Sequence, residues 1–281
     1  MILVVGANGT VGSRVVAQLG ERGERVRALV RDTRKAAQLG ASVEVVAGDL
    51  ARPETLAPAF AGIEKVFLVT TGPDALERNA IDAARAAGVR RVVKLSSMGF
   101  GPRREALAIG GWHRGVEAHL EASGIPWTIL LAGGFASNAL GWARTIKEQG
   151  AAFAPTGDGK VAVVHPDDLA AAAVVALTQP GHEGRRYELT GPDALSFGEQ
   201  VARIGEAVGK PVRFVDVPPD AARGAMLEMG MPEPMVTGML EVMANIKAGG
   251  AATVSPDLER ILGRKPRTFG AWARENAAAF R

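Results

Sequence analysis

From its first residues the chain alternates short, nearly uninterrupted apolar runs with longer stretches in which Ala, Arg and Glu mix with aliphatic residues. The runs Ile2–Val5, Val26–Val30, Val43–Val46, Lys65–Val69, Arg91–Leu95 and Trp127–Leu131 have strand length and little polar interruption. Continuous Val, Ile and Leu, rather than strict alternation, suits strands covered on both faces. Between them, helical patterns start near Thr10, Thr33, Glu54, Asp74 and Trp112. Strand and helix in regular alternation predict an α/β fold, a doubly wound parallel sheet with helices on both faces.

The rhythm changes near Gly150. A Gly-rich loop, Pro155 to Lys160, precedes a predicted strand at Val161–Val164, and His165 with Asp168 heads an Ala-rich helix over Leu169–Thr178. Arg185–Leu189 and Val212–Val217 read as strands and Ser196–Val208 as a helix. The tail places Met226, Met229, Met231, Met235, Met239 and Met243 among prolines and glycines, a pattern of adaptable helices that either line a pliable pocket or form ordinary helix core. The expected division is residues 1–155 as a nucleotide-binding portion, with 156–281 completing the sheet and forming, mainly from helices, a substrate pocket.

The sharpest motif is Gly6-Ala-Asn-Gly9-Thr-Val-Gly12, directly after the first strand and opening the first helix. There the first glycine permits a tight turn, the second a close approach of backbone N–H groups to a pyrophosphate, and the third close packing of helix on strand. The helix N-terminus adds unsatisfied donors and partial positive charge. This predicts a Rossmann-type dinucleotide site at Gly6, Asn8, Gly9, Thr10, Val11 and Gly12. No Lys-Ser or Lys-Thr pair follows, which excludes a Walker-type site. Arg31, after the second strand, suits the 2′-phosphate of NADP, so NADPH is expected over NADH. Asp32 reads as the cap of the next helix. Further cofactor contacts are expected where strands end, at Asp49 and Leu50 and at Thr70 and Thr71, although Asp49 alone also suits a helix cap.

Composition narrows the chemistry. The 281 residues include no cysteine, which excludes disulfides, thiolate nucleophiles and Cys-ligated metal. A formal charge of +3 is too small to argue for nucleic acid. No histidine spacing suggests a metal, and His119, His165 and His182 are expected at the surface or as caps. The start lacks a signal-peptide pattern, so a cytoplasmic location is expected. The uncharged stretch from Ala122 to Ala143 contains Pro126, Gly133 and Gly134, and reads as a buried strand entering a loop rather than a membrane span.

The segments Gly6–Gly12, Leu29-Val-Arg-Asp32, Leu95-Ser-Ser-Met98, Gly157-Asp-Gly-Lys160 and Gly181 to Thr190 resemble those of NmrA-like atypical short-chain dehydrogenases/reductases, in particular NADPH-dependent quinone reductases and triphenylmethane-type reductases. The resemblance implies a carbonyl-binding serine after the fifth strand, best matched by Ser97, with Ser96 beside the cofactor. It implies a nicotinamide wall at Ala132 to Phe135, with Gly133 and Phe135 in contact, although Leu131-Ala132 stands where relatives often carry Arg-Pro. The usual Tyr-x-x-x-Lys is absent: His113-Arg-Gly-Val-Glu117 stands in its place, and the single tyrosine is Tyr187. Three readings follow. His113 serves as general acid, or pairs structurally with Glu117; the protein mainly orients an acceptor that needs little activation; or it binds NADP without catalysis, as a redox sensor of the NmrA type. The leading expectation is an NADPH-dependent reductase of ketones or quinones in bulky hydrophobic substrates of the aromatic polyketide type. Phe135, Trp112 and Trp142 are candidates for its cleft, and a monomer or homodimer that binds a small molecule, with no nucleic acid or membrane partner, is expected.

Overall fold

The computed structural model of the protein describes residues 1–99 and 108–281. Its central sheet starts with β1 (Ile2–Val5), β2 (Val26–Val30), β3 (Glu44–Ala47), β4 (Lys65–Leu68), β5 (Arg91–Ser97) and β6 (Trp127–Ala132). Two short strands, β7 (Ala151–Ala154) and β8 (Lys160–Val161), lie outside that sheet, which β9 (Arg185–Leu189) completes. The order is β3-β2-β1-β4-β5-β6-β9, parallel throughout. Strand order reverses beside β1, which pairs with β2 on one side and β4 on the other.

The two-sided burial predicted from composition is present. Ile2 and Val4 of β1, Val93 and Leu95 of β5, and Leu130 of β6 face a layer formed by α1 (Gly12–Glu21) and, further along the chain, α6 (Pro166–Thr178). Leu3, Val5, Val92 and Ile129 face the opposite layer, built from α2 (Ala57–Phe60), α3 (Asp74–Ala86) and α4 (Ala108–Ala122). Next come α5 (Ala143–Gln149) and α6 (Pro166–Thr178). The latter is apolar on nearly every side because it is enclosed by the sheet and α1.

The remainder comprises β10 (Leu195–Ser196), α7 (Phe197–Val208), β11 (Arg213–Asp216), α8 (Pro219–Glu228), α9 (Glu233–Lys247), α10 (Asp257–Leu262) and α11 (Phe269–Glu275). Here α5, α7 and α11 pack around Trp272, Phe269 and Ile204, while α8 and α9 close on Met226 and Val236 with Met231, Met239 and Met243 alongside. The methionines therefore form mainly a small core of their own, with Met229 and Met235 exposed.

Several elements differ from the sequence pattern. The segment after Thr33 is a 3-10 helix (Thr33–Leu39), headed by Asp32, whose carboxylate accepts the Arg34 amide at 3.0 Å. The helix expected from Glu54 is a 3-10 turn followed by the one-turn α2. The strand expected over Val161–Val164 stops at Val161, because the following backbone bonds to three different segments: Ala162 N–H to Ala251, Gly191 N–H to Ala162, and Val164 N–H to Gly134. The Ala-Ala-Phe-Ala run of β7 carried too weak an apolar pattern to be read as a strand. Among the described residues no helix is long and apolar enough to cross a membrane.

Candidate active site

At the end of β1 the chain turns at Gly6, whose φ of +83° favours glycine, and its carbonyl accepts the Gly9 amide at 2.9 Å. A Cβ on Gly6 would lie 2.3 Å from the Val69 carbonyl oxygen, and one on Gly12 would lie 2.1 Å from the Gly6 oxygen. Both glycines are thus sterically required where α1 packs onto the strand ends. Gly9 is different: its nearest neighbour would be the Gly6 oxygen at 3.2 Å, and Asn8, Gly9 and Thr10 are exposed. No side chain caps the first turn of α1, and no carboxylate lies in it. This cradle fits the phosphates of a dinucleotide, which would be held by main-chain donors at the positive end of α1. Val11 is buried in the core at 3% exposure, so only its main chain is available to such a ligand.

The other expected contacts are arranged unequally. Arg31 is exposed just beyond β2, with no ion pair recorded for it among the described residues, whereas neighbouring Arg34 is held by Asp32 at 2.9 Å. The Asp49 carboxylate accepts the Ala51 amide at 3.0 Å and so stabilises its own turn, and the Leu50 carbonyl accepts from Asn79 at 2.8 Å. Thr70 donates its amide to Glu77 of α3 at 3.1 Å, with Thr71 exposed beside it. Glu77 also meets Lys94 of β5 at 2.5 Å, and both side chains are fully buried. Burial pushes the Glu77 carboxyl up from its ordinary value, against the opposing pull of Lys94 and Thr70. A lysine inside an apolar strand was the available signal for this pair, but its partner, 17 residues away, was not identifiable from local spacing.

Ser96 and Ser97 point to different places. The Ser96 hydroxyl is hydrogen-bonded to Glu117 of α4, itself paired with Arg186 of β9 at 2.7 Å. Ser96 thus fastens the sheet to α4 rather than offering its hydroxyl at the strand ends. Ser97 lines a cavity of about 230 Å³ beyond the carboxyl ends of β5, β6 and β9. Its oxygen accepts the Gly99 amide at 3.1 Å, which leaves the O–H to donate elsewhere. Gly133 and Gly134 form one wall; a Cβ on Gly134 would lie 3.2 Å from Val161. Val161, Ala162, Glu188, Thr190, Gly250, Ala251 and Thr253 complete much of the lining. These come from chain segments far from Ser97, and nothing local in the sequence marks them.

His113 is buried on α4 and is not among the cavity-lining residues; Glu117, one turn along, is bonded by Ser96 and Arg186. Tyr187 is also elsewhere, with its hydroxyl 2.9 Å from His182 Nδ1. Trp142 packs edge-on against Phe197, 4.9 Å between ring centres, and Phe135 packs against the α1 and α6 core, so neither ring lines this cavity. The Trp112 side chain lies outside the described residues. His119 pairs with Asp82 at the surface, and buried His165 caps α6 through Nδ1. His165, Asp167 and Glu275 bring ligand atoms within 4.8 Å of one another, but Arg14 and Arg267 already pair with Asp167, and Glu275 with His165, as an ion-pair network.

The reversal of strand order, the glycine cradle and the adjoining cavity define an α/β protein that holds a dinucleotide at the carboxyl edge of its sheet. The chain belongs to the NAD(P)H-binding family, whose sequence profile matches residues 6–180. It is 42% identical over 284 residues to the NAD(P)H azoreductase of Xenophilus azovorans, covering 100% of this chain and 99% of the relative. It is 40% identical to the (4-alkanoyl-5-oxo-2,5-dihydrofuran-3-yl)methyl phosphate reductase of Streptomyces griseus, covering 100% of this chain and 99% of that protein. Among solved structures, the NADPH complex of an NADPH-dependent quinone oxidoreductase from Escherichia coli matches with a TM-score of 0.88 and 28% identity, over 98% of this chain and 99% of the other. The likeness to quinone reductases expected from short motifs therefore extends over the whole chain.

Proposed function

We propose that this chain, an NADPH-dependent oxidoreductase, delivers hydride to a conjugated acceptor of the quinone type held in the cavity beside Ser97. The observation that carries this reading is the lining itself. Among the described residues it contains hydroxyls, main chain and the exposed Glu188 carboxylate around an apolar surface, but no Tyr, Lys or His. NADPH supplies the hydride when bound. An acceptor whose reduction ends in a phenolate-like anion needs no strong acid in the hydride step, whereas an isolated ketone would form a far more basic alkoxide. The free O–H of Ser97 would donate to the acceptor oxygen as negative charge develops, and solvent would supply the final proton through the open mouth. Gly133 and Gly134 let the acceptor and the cofactor approach closely, and orientation then contributes several kcal/mol. The cavity is smaller than the roughly 300–1,000 Å³ of drug-sized sites, so one or two rings fit within it and a bulkier acceptor would extend into solvent.

The test is loss of NADPH absorbance on mixing the purified protein with a panel of quinones, azo compounds and aromatic ketones. Quinones should turn over fastest. Ser97→Ala should lower kcat by about a hundredfold to a thousandfold, in line with loss of one oxyanion donor. Absence of turnover with every acceptor would overturn the reading, and faster reduction of simple ketones would require a Tyr-, Lys- or His-type acid, which the described lining does not contain.

A further inference from the structure

Glu188 is the single ionisable residue among the described residues that line the cavity. It is solvent-exposed on β9, one register position from the strand end and opposite Leu131 of β6, which shares the same wall. No ion pair involving its carboxylate is recorded among the described residues. The nearest cation on the same face of the strand, Arg186 two residues earlier, already bridges Glu117 at 2.7 Å and Glu121 at 2.6 Å. Asp257 accepts the Glu188 amide at 2.9 Å and is itself neutralised by Arg260. Among the described residues, Glu188 therefore gives the rim of the cavity a negative charge.

We propose that Glu188 makes this pocket charge-selective, favouring acceptors that are cationic or neutral over acceptors that are anionic. The proposal rests on the reductase reading and specifies its substrate class. A cavity of about 230 Å³ keeps any occupant within several ångströms of its wall. At that range, in the intermediate dielectric of a protein surface, one unit of charge changes binding by about tenfold. The effect has opposite signs for ammonium and sulfonate substituents, so the two should differ by roughly a hundredfold at low salt. The phosphate ester named for the Streptomyces relative would suffer the repulsive sign here.

The experiment uses two 1,4-naphthoquinones that differ only in carrying a trimethylammonium or a sulfonate group on the same short tether. Two readouts are taken on the NADPH-loaded protein and on the protein alone: kcat/KM from NADPH absorbance, and dissociation constants from quenching of tryptophan fluorescence. The ammonium compound should win in both, by a ratio that shrinks as salt is added. Glu188→Gln should collapse the ratio to about one, and Glu188→Lys should invert it. Reading a ratio within each variant removes any general loss of fold or turnover. A wild-type ratio near one, or an unchanged ratio in Glu188→Gln, overturns the proposal while leaving reductase activity intact. If neither quinone is reduced, the reductase reading falls, and the binding ratio alone still decides the role of Glu188.

Discussion

Replacing Gly12 with alanine tests the cradle directly. The new Cβ would lie 2.1 Å from the Gly6 oxygen, 2.7 Å from its carbonyl carbon and 3.1 Å from the Ala7 Cα. A comfortable carbon–oxygen contact is about 3.3 Å, so α1 and the turn must separate by roughly 1 Å. All three obstacles are backbone, and no side-chain rotation relieves them. Overpacking of this kind costs about 1–3 kcal/mol, which for a domain of this size lowers Tm by about 2–5 °C. The displaced amides would also lose charge-assisted bonds to phosphate worth about 1.5–3 kcal/mol, so NADPH affinity should fall by about tenfold to a hundredfold. Gly9→Ala is the control, since its Cβ meets only the Gly6 oxygen at 3.2 Å and otherwise faces solvent. It should keep Tm within about 2 °C of wild type yet weaken NADPH by about tenfold, because its methyl group stands where phosphate must approach. Calorimetric titration with NADPH and thermal melting, applied to both variants, read the two effects separately. A Gly12→Ala protein with parental Tm and affinity, or a Gly9→Ala protein that is the less stable of the two, would refute this account of the turn.

Arg31→Asp should weaken NADPH far more than NADH, and equal losses in titrations of the two cofactors would remove Arg31 from the 2′-phosphate site. Lys94→Met strands the buried Glu77 carboxylate and should cost about 3–5 kcal/mol in urea unfolding; a loss below about 1 kcal/mol would mean that the pair is not held in a dry interior. His182 is held below its ordinary value of 6.5, first by burial and then by Arg91 and Arg185. The unfolded chain therefore binds its proton more readily, and stability is lost as pH falls from 6.5 toward the folded-state pKa. His182→Gln should flatten that part of the Tm–pH curve, and a slope equal to wild type would assign the acid sensitivity to other groups.

The fold was legible because its signals are local. Strand runs such as Ile2–Val5 and Arg185–Leu189 coincide with the observed strands, and Gly9 and Gly12 meet Gly6 within the motif itself, although the constraint on Gly6 comes from Val69. The site was legible only where a strand end marked it. Ser97 could be placed from the end of β5, whereas Glu188, Thr190 and Thr253 reach the same cavity through β9 and the segment after α9. Their identities carry no periodic or spacing signal. His113 drew attention by standing where the resemblance places a tyrosine, but position on a helix does not set which way a face points. That face is decided by Ser96, Glu117 and Arg186, a cross-sheet linkage invisible to spacing along the chain.

The network at the start of α6 has a consequence for how the molecule is made. Asp168 is fully buried and depends on the Arg264 guanidinium and the Arg267 amide, each at 2.6 Å, while Asp167 joins Arg14 of the cofactor-cradling helix to Arg267. An emerging chain that has reached only residue 180 contains every residue of the family profile, yet it still has an unsatisfied carboxylate in the interface between α1 and α6. On the ribosome, that carboxylate therefore finds its partners only once the segment between α10 and α11 has emerged.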